Sequence, residues 1–386
     1  MNRTTRSSGK TPSPQANPAA KGPLPGLYAP LACLVIVAAG LAAYCNSFDG
    51  PFIFDDVPSI LHNPTIRQLW PIGPALRPPG GGRAVQGRPV VNLSLAVNWA
   101  IGQDKVQGYH VLNLAIHLAA GLALFGVVRR TLRQPRLSGR FAQAATGIAL
   151  AAALLWTVHP LQTESVTYIV QRAESIMALF YLLTLYCVIR GAGSARPIAW
   201  YVLSVLVCLL GMASKEVMAT APLVVLLYDR TFLSGTFQGA LRRRWPLYVA
   251  LTCTWGLLAY LVAGSTDRGG SAGFGLSMTV WQYALTQLGV ITHYLGLAFW
   301  PAGLVFDYGW PIASSVGQIL PGAIVISLLL AGTIWALIRY PAAGFLGACF
   351  FLILAPTSSF VPVTDAAFEH RMYLPLAAVT SFAGGA

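Results

Sequence analysis

Apolar residues fall in runs of about 15 to 22 positions, separated by short polar stretches, over most of the chain. A helix needs roughly 20 apolar residues to cross a bilayer, so the pattern predicts repeated membrane crossings. The predicted spans are Leu27 to Cys45, Tyr109 to Val128, Gln143 to Val158, Ser175 to Ile189, Ile198 to Met212, Val217 to Tyr228 and Leu247 to Ala263, then Ile319 to Ile338 and Ala342 to Ala355. The ten-residue alternation of a membrane barrel is absent. The first run could instead be a cleaved signal peptide, but its length and Tyr44 near the cleavage point argue for a span.

Two stretches break the pattern. Between the first two spans lies a long loop, 46–107, with weak helical patterning at Ser59 to Leu69 and an amphipathic segment at Val90 to Ile101 suited to the membrane surface. Residues Trp281 to Trp300 are long enough to cross. Their Gln282, Gln287, Thr292 and His293, with tryptophan at both ends, suit a helix lying flat on the outer face within the loop 264–318. The last run, 372–386, is too short to cross completely, which predicts that the natural chain continues.

Composition agrees with this class: 55% of the 386 residues are hydrophobic and 10% charged, where soluble domains carry about a quarter. The net charge of +13 does not point to nucleic acid, because the basic residues sit between apolar runs as the positive-inside rule expects. With 281–300 lying flat, sixteen of the 25 lysines and arginines fall inside, including those of a basic, disordered tail at 1–26. Eleven of the twelve acids fall outside, Asp229 being the exception. Acids do not direct insertion, so their placement points to chemistry on the outer face. The six cysteines have no zinc spacing and read as small packing residues.

The outer groups that could carry that chemistry recur from loop to loop. Asp55 and Asp56 follow the first span; His159, Glu164 and Arg172 follow the third; Lys215 and Glu216 lie between two spans with hardly any loop; Glu369, His370 and Arg371 open the last run. Ionisable groups at such depth face a water-filled cavity or a partner. For Asp55 and Asp56 the structural alternative is a helix cap, and for the cations ion pairing with Glu164, Glu216 or Glu369. His110, Asn113 and His117 share one helical face, either supporting a site or bonding between helices. A carboxylate that accepts a hydroxyl proton, opposite cations that hold a departing phosphate, is the minimum for moving a sugar from a lipid phosphate. No nucleotide loop or zinc cluster is present, so a lipid-linked donor is expected and a nucleotide sugar is not. The competing readings are a transporter or lipid flippase and a non-catalytic scaffold. No cofactor is expected; an aspartate pair could hold a divalent cation, but the neighbouring cations weigh against it.

In order, Phe54-Asp55-Asp56, Asn63-Pro64, Gly87-Arg88-Pro89, Gly108-Tyr109-His110, His159-Pro160 through Glu164-Ser165-Val166, Gln171-Arg172-Ala173-Glu174, Ser214-Lys215-Glu216 and Glu369-His370-Arg371 through Pro375 resemble the transmembrane O-mannosyltransferase family with tetratricopeptide tails, in the GT-C glycosyltransferase class. The resemblance spans roughly residues 44 to 376 and implies an all-α bundle of eleven or more helices over 27–386. It implies a polyprenyl- or dolichyl-phosphate sugar donor, a protein hydroxyl acceptor and inverting transfer without metal. By position the general base falls on Asp55, with Asp56 orienting the acceptor or sharing the role. Arg172, Lys215 and Arg371 are the candidate phosphate-binding residues, supported by Arg88, His110, His159, Glu164, Glu216, Glu369 and His370. The N-terminus is expected in the cytoplasm and the active face outside it, periplasmic in a bacterial inner membrane or lumenal in an endoplasmic reticulum. No tetratricopeptide helix pair appears in the sequence.

Overall fold

The computed structural model describes residues 28–81, 83–265 and 278–385. The basic tail at 1–26, Gly82 and residues 266–277 of the second long loop lie outside them. Among the described residues there are fourteen α-helices and no strand element. The protein is an all-α polytopic membrane protein.

Helix α1 (Tyr28–Tyr44) leads to a folded loop that ends in α2 (Pro89–Gly102). Helix α3 (Val106–Leu132) crosses to the arginine-rich end, where α4 (Pro135–Phe141) turns the chain. Helix α5 (Ala145–Thr157) returns, and the segment that follows, which includes α6 (Thr163–Thr167), is bent from it by 56°. Next come α7 (Arg172–Ala192), α8 (Pro197–Met212), α9 (Ala221–Tyr228) and α10 (Phe237–Ala263). The chain closes with α11 (Val280–Phe299), α12 (Val316–Arg339), α13 (Pro341–Leu354) and α14 (Leu376–Gly385). Among the described residues, five helical segments are long and apolar enough to cross a membrane on their own, six if the bent α5–α6 unit is one span.

Each boundary has a local cause. Proline opens α2, α4, α8 and α13, where its missing N–H is not needed. Thr279 and Ser315 build capping boxes with Gln282 and Gln318 at the starts of α11 and α12. Helix α10 begins ten residues before the predicted span. Arg244 leaves helical geometry (φ −135°, ψ 27°) ahead of Pro246, and the apolar crossing starts beyond that kink.

Helix α11 stays at the aspartate end along its whole length. Tyr283 donates to the Thr357 carbonyl (2.6 Å), Gln287 to that of Ala366 (3.0 Å), and Tyr294 accepts from the Phe368 N–H (2.7 Å). His159 meets the Ala298 carbonyl at 3.2 Å. Two loops of one end, 355–368 and the turn at His159, therefore hold α11 from Tyr283 to Ala298.

The first long loop has a core of its own. Ile60, Ile66, Ala75, Val85, Val91 and Leu95 are wholly buried and pack with Tyr168 and Ile169. Asn63 ties it together by donating to the Ser59 carbonyl (2.9 Å) and to Asn92 Oδ1 (2.8 Å), while Asn92 donates to the Ala75 carbonyl (2.8 Å). Helix α2 thus packs on this cap as well as lying beside the bundle. The cap is the platform that carries the aspartates.

Candidate active site

A turn presents Asp55. Phe54 adopts a left-handed backbone (φ 43°), which costs a side-chain-bearing residue about 1–3 kcal/mol and recurs at functional positions. Asp56 holds the turn in place: its buried carboxylate accepts the Ile53 N–H (3.2 Å) and the Val170 N–H (2.8 Å). Tyr168 accepts the Asp55 N–H at 2.9 Å. The two neighbours therefore diverge. Asp56 points into protein, and Asp55 opens into a cavity of ≈ 350 Å³.

The cavity is lined with charge from distant parts of the chain. Arg88, at the start of α2, reaches both oxygens of Glu216 at 3.3 Å. Lys215 donates to Glu174 at 2.6 Å, both groups being buried. Arg371 donates to the Tyr283 hydroxyl (3.1 Å) and to the carbonyls of Ala366 (2.8 Å) and Asp365 (2.5 Å). His370 meets the cavity while its Nδ1 lies 2.6 Å from Glu164, whose other oxygen accepts the His370 N–H (2.9 Å).

These surroundings tune the aspartates. Partial burial raises the Asp55 pKa above the ordinary carboxylate range and the nearby Asp365 charge raises it further, while Arg88, Tyr168 and His370 work against the rise. Burial pushes Asp56 up to about 6, opposed by the backbone N–H groups of Ile53 and Val170. Asp365 is itself raised, by burial and then by Asp307.

Of the candidates from sequence, Asp55, Arg88, Lys215, Glu216, His370 and Arg371 line one cavity. Arg172 does not. It is wholly buried and donates to Asn98 Oδ1 (2.6 Å) and the Tyr109 carbonyl (3.1 Å), joining α2, α3 and α7. His110 binds the Gly50 carbonyl (2.9 Å), and His159 accepts the Leu161 N–H while facing Ala298. Glu369 accepts the Val305 N–H and the Tyr308 hydroxyl, each at 2.8 Å. It lines a second cavity of ≈ 250 Å³ together with Glu164. His117 bridges the Tyr373 hydroxyl (2.7 Å) and the Thr157 carbonyl (2.9 Å), the interhelical bonding that was its structural alternative. Arg83, Tyr168, Asp307 and Asp365 also line the cavity and were not among the sequence candidates. Tyr168 lies between two of the motifs read from the sequence, Glu164-Ser165-Val166 and Gln171-Arg172, and Arg83 directly follows the glycines at 80–82. Asp307 carries no local signal.

No family model and no solved structure matches the chain. Curated relatives do. It is 29% identical over 204 residues, 47% of its length, to human protein O-mannosyl-transferase TMTC4. Against mouse TMTC2 the identity is 31% over 217 residues and 52% of the chain, and against Drosophila melanogaster Tmtc1 it is 25% over 335 residues and 78%. Over these stretches the chain is similar to the TMTC O-mannosyl-transferases. The matches cover 27%, 24% and 37% of those three relatives' own lengths, so the chain corresponds to a minor part of each.

Proposed function

We propose that the chain is a membrane glycosyltransferase that moves a hexose, mannose in the simplest case, from a polyprenyl phosphate to a hydroxyl, on a protein serine or threonine. The relatives' printed name, protein O-mannosyl-transferase, supports the reaction class and the acceptor. One observation carries the mechanism: Asp55 shares a single cavity with Arg88, Lys215, His370 and Arg371. At ≈ 350 Å³ this cavity is within the range that small-molecule sites occupy, about 300–1,000 Å³.

In this reading Asp55 takes the acceptor's hydroxyl proton as the oxygen attacks the anomeric carbon. The bond from that carbon to the phosphate oxygen breaks on the opposite face, so configuration inverts. The electron pair leaves with the polyprenyl phosphate. Arg88, Lys215, His370 and Arg371 stabilise the charge that builds there, a term that grows when water is excluded. Asp56 and Arg172, both turned away from the cavity, position the Asp55 turn and the α2–α7 contact. The active face is periplasmic or lumenal. A transporter would place its charges near the midplane, whereas these lie at one end of the bundle. The test is transfer from a radiolabelled lipid donor by purified protein in detergent. Asp55→Asn is expected to lose about 100- to 10,000-fold in rate while melting normally; normal transfer by this variant would overturn the assignment.

A further inference from the structure

The opposite end of the molecule holds a second concentration of charge that the transfer reaction does not use. Arg129 and Arg130 close α3, Arg133 follows it, and Arg190 closes α7; together with Ser194 they line a cavity of ≈ 380 Å³. Among the described residues no carboxylate lines it. Asp229 is the acid of this end, and it is engaged by Arg244 at 2.8 Å and by Tyr248. Residues 1–48 contain no aspartate or glutamate, so the N-terminal tail cannot neutralise the cluster.

Helix dipoles and the positive-inside rule explain why arginines occur at this end. They do not explain why four converge on one hollow, where like charges repel. Nor are these side chains left to wander. The Arg130 guanidinium lies 5.2 Å from the centre of the Tyr186 ring, and that of Arg190 4.7 Å from Trp200. Arg129 and Arg133 share the Thr146 hydroxyl, at 3.1 and 3.5 Å. Rings and a hydroxyl order the cations without cancelling their charge. Their remaining N–H groups suit phosphate oxygens, which a guanidinium can bind in pairs.

We propose that this hollow is a binding site for a phosphate-bearing anion at the membrane surface, the chemistry shared by an anionic phospholipid headgroup and free inorganic phosphate. Basic pockets between membrane helices take such headgroups. The site lies at the far end of the bundle from Asp55, so it is independent of the donor site.

The test is thermal melting of the purified full chain in detergent with added phosphatidylglycerol, phosphatidylcholine or sodium phosphate. Wild-type protein is expected to melt a few degrees higher with phosphatidylglycerol, and Arg133→Gln/Arg190→Gln to bind about tenfold more weakly or worse. Arg242→Gln/Arg243→Gln, which removes equal charge from the same end outside the hollow, is expected to keep the shift. A shift with phosphatidylglycerol alone assigns a lipid headgroup, and a shift with sodium phosphate as well assigns the free ion. If the glutamine pair does not fold, Arg133→Lys/Arg190→Lys keeps the charge and is expected to lose the paired bonds and most of the affinity. An equal response to phosphatidylcholine, no response at all, or equal loss in the two glutamine variants would overturn the site.

Discussion

Two adjacent aspartates end in different jobs because one turn sends their side chains to opposite sides. Asp56→Ala removes the acceptor for two backbone N–H groups, Ile53 and Val170. Leaving buried donors unpaired costs about 1–3 kcal/mol each, so this variant should melt earlier, whereas Asp55→Asn should lose rate alone. Acidity supplies a second separation. A general base works only when unprotonated, and the Asp55 pKa is raised, so activity should fall on acidification at a pH above the ordinary carboxylate value of about 3.9. The Asp365 charge contributes to that rise. Asp365→Asn should therefore move the acid limb of kcat/KM to lower pH, and a limb that stays put or moves up would count against Asp55 as the titrating base. The backbone carbonyl through which Asp365 holds Arg371 is untouched by the change. Arg172 teaches the converse lesson at the same scale. A lone arginine at the start of an apolar run reads as a site residue, yet its partners are an amide oxygen and a carbonyl on two other helices. No spacing within one segment reveals such partners.

At the level of elements, the apolar helices were legible because such a helix leaves a run in the sequence, although those at Tyr28–Tyr44, Pro197–Met212 and Pro341–Leu354, predicted as spans, are shorter than a full crossing. The cap over the first loop was not. Its core is assembled from single apolar positions such as Ile60, Ile66, Ala75 and Val85, separated by turns and without a period. Of the asparagines that lock it, only Asn63 stood out, and as a motif member rather than as a brace; Asn92 did not. Helix α10 shows the same limit: a proline marks the kink, but the reason the chain stays helical before it lies elsewhere. Asp229 accepts from Arg244 (2.8 Å), Ser234 (2.7 Å) and Tyr248 (2.5 Å), pinning the short arm of α10 to the end of α9. Asp229 is wholly buried and Arg244 largely so. Removing one partner of such a pair strands the other, at about 3–5 kcal/mol. Asp229→Ala should therefore lower the melting temperature sharply. The surviving folded fraction should keep normal transfer per molecule, because this lock lies at the end away from Asp55. A loss of specific activity in that fraction would show that the two ends are coupled.

For the whole molecule, the decisive quantity is which end faces which compartment. Charge separates the ends in kind: carboxylates with matched cations around the Asp55 cavity, and arginines with a single acid at the other end. In the proposed orientation the arginine end is cytoplasmic, because cytoplasmic loops are enriched in lysine and arginine. Two exposed positions make this measurable. Cys45 closes α1 at the Asp55 end, and Ala195 lies in the turn between α7 and α8 beside the arginine hollow. With the other five cysteines replaced, a chain keeping Cys45 should react with a membrane-impermeant maleimide in intact spheroplasts. A chain carrying Ala195→Cys as its sole thiol should react only after lysis. The reverse pattern would place the Asp55 cavity in the cytoplasm, where the lipid-phosphate donor and protein acceptor would have to meet on the other leaflet. Reaction of both thiols before lysis would mean leaky spheroplasts, which a cytoplasmic marker enzyme assayed in the same sample detects.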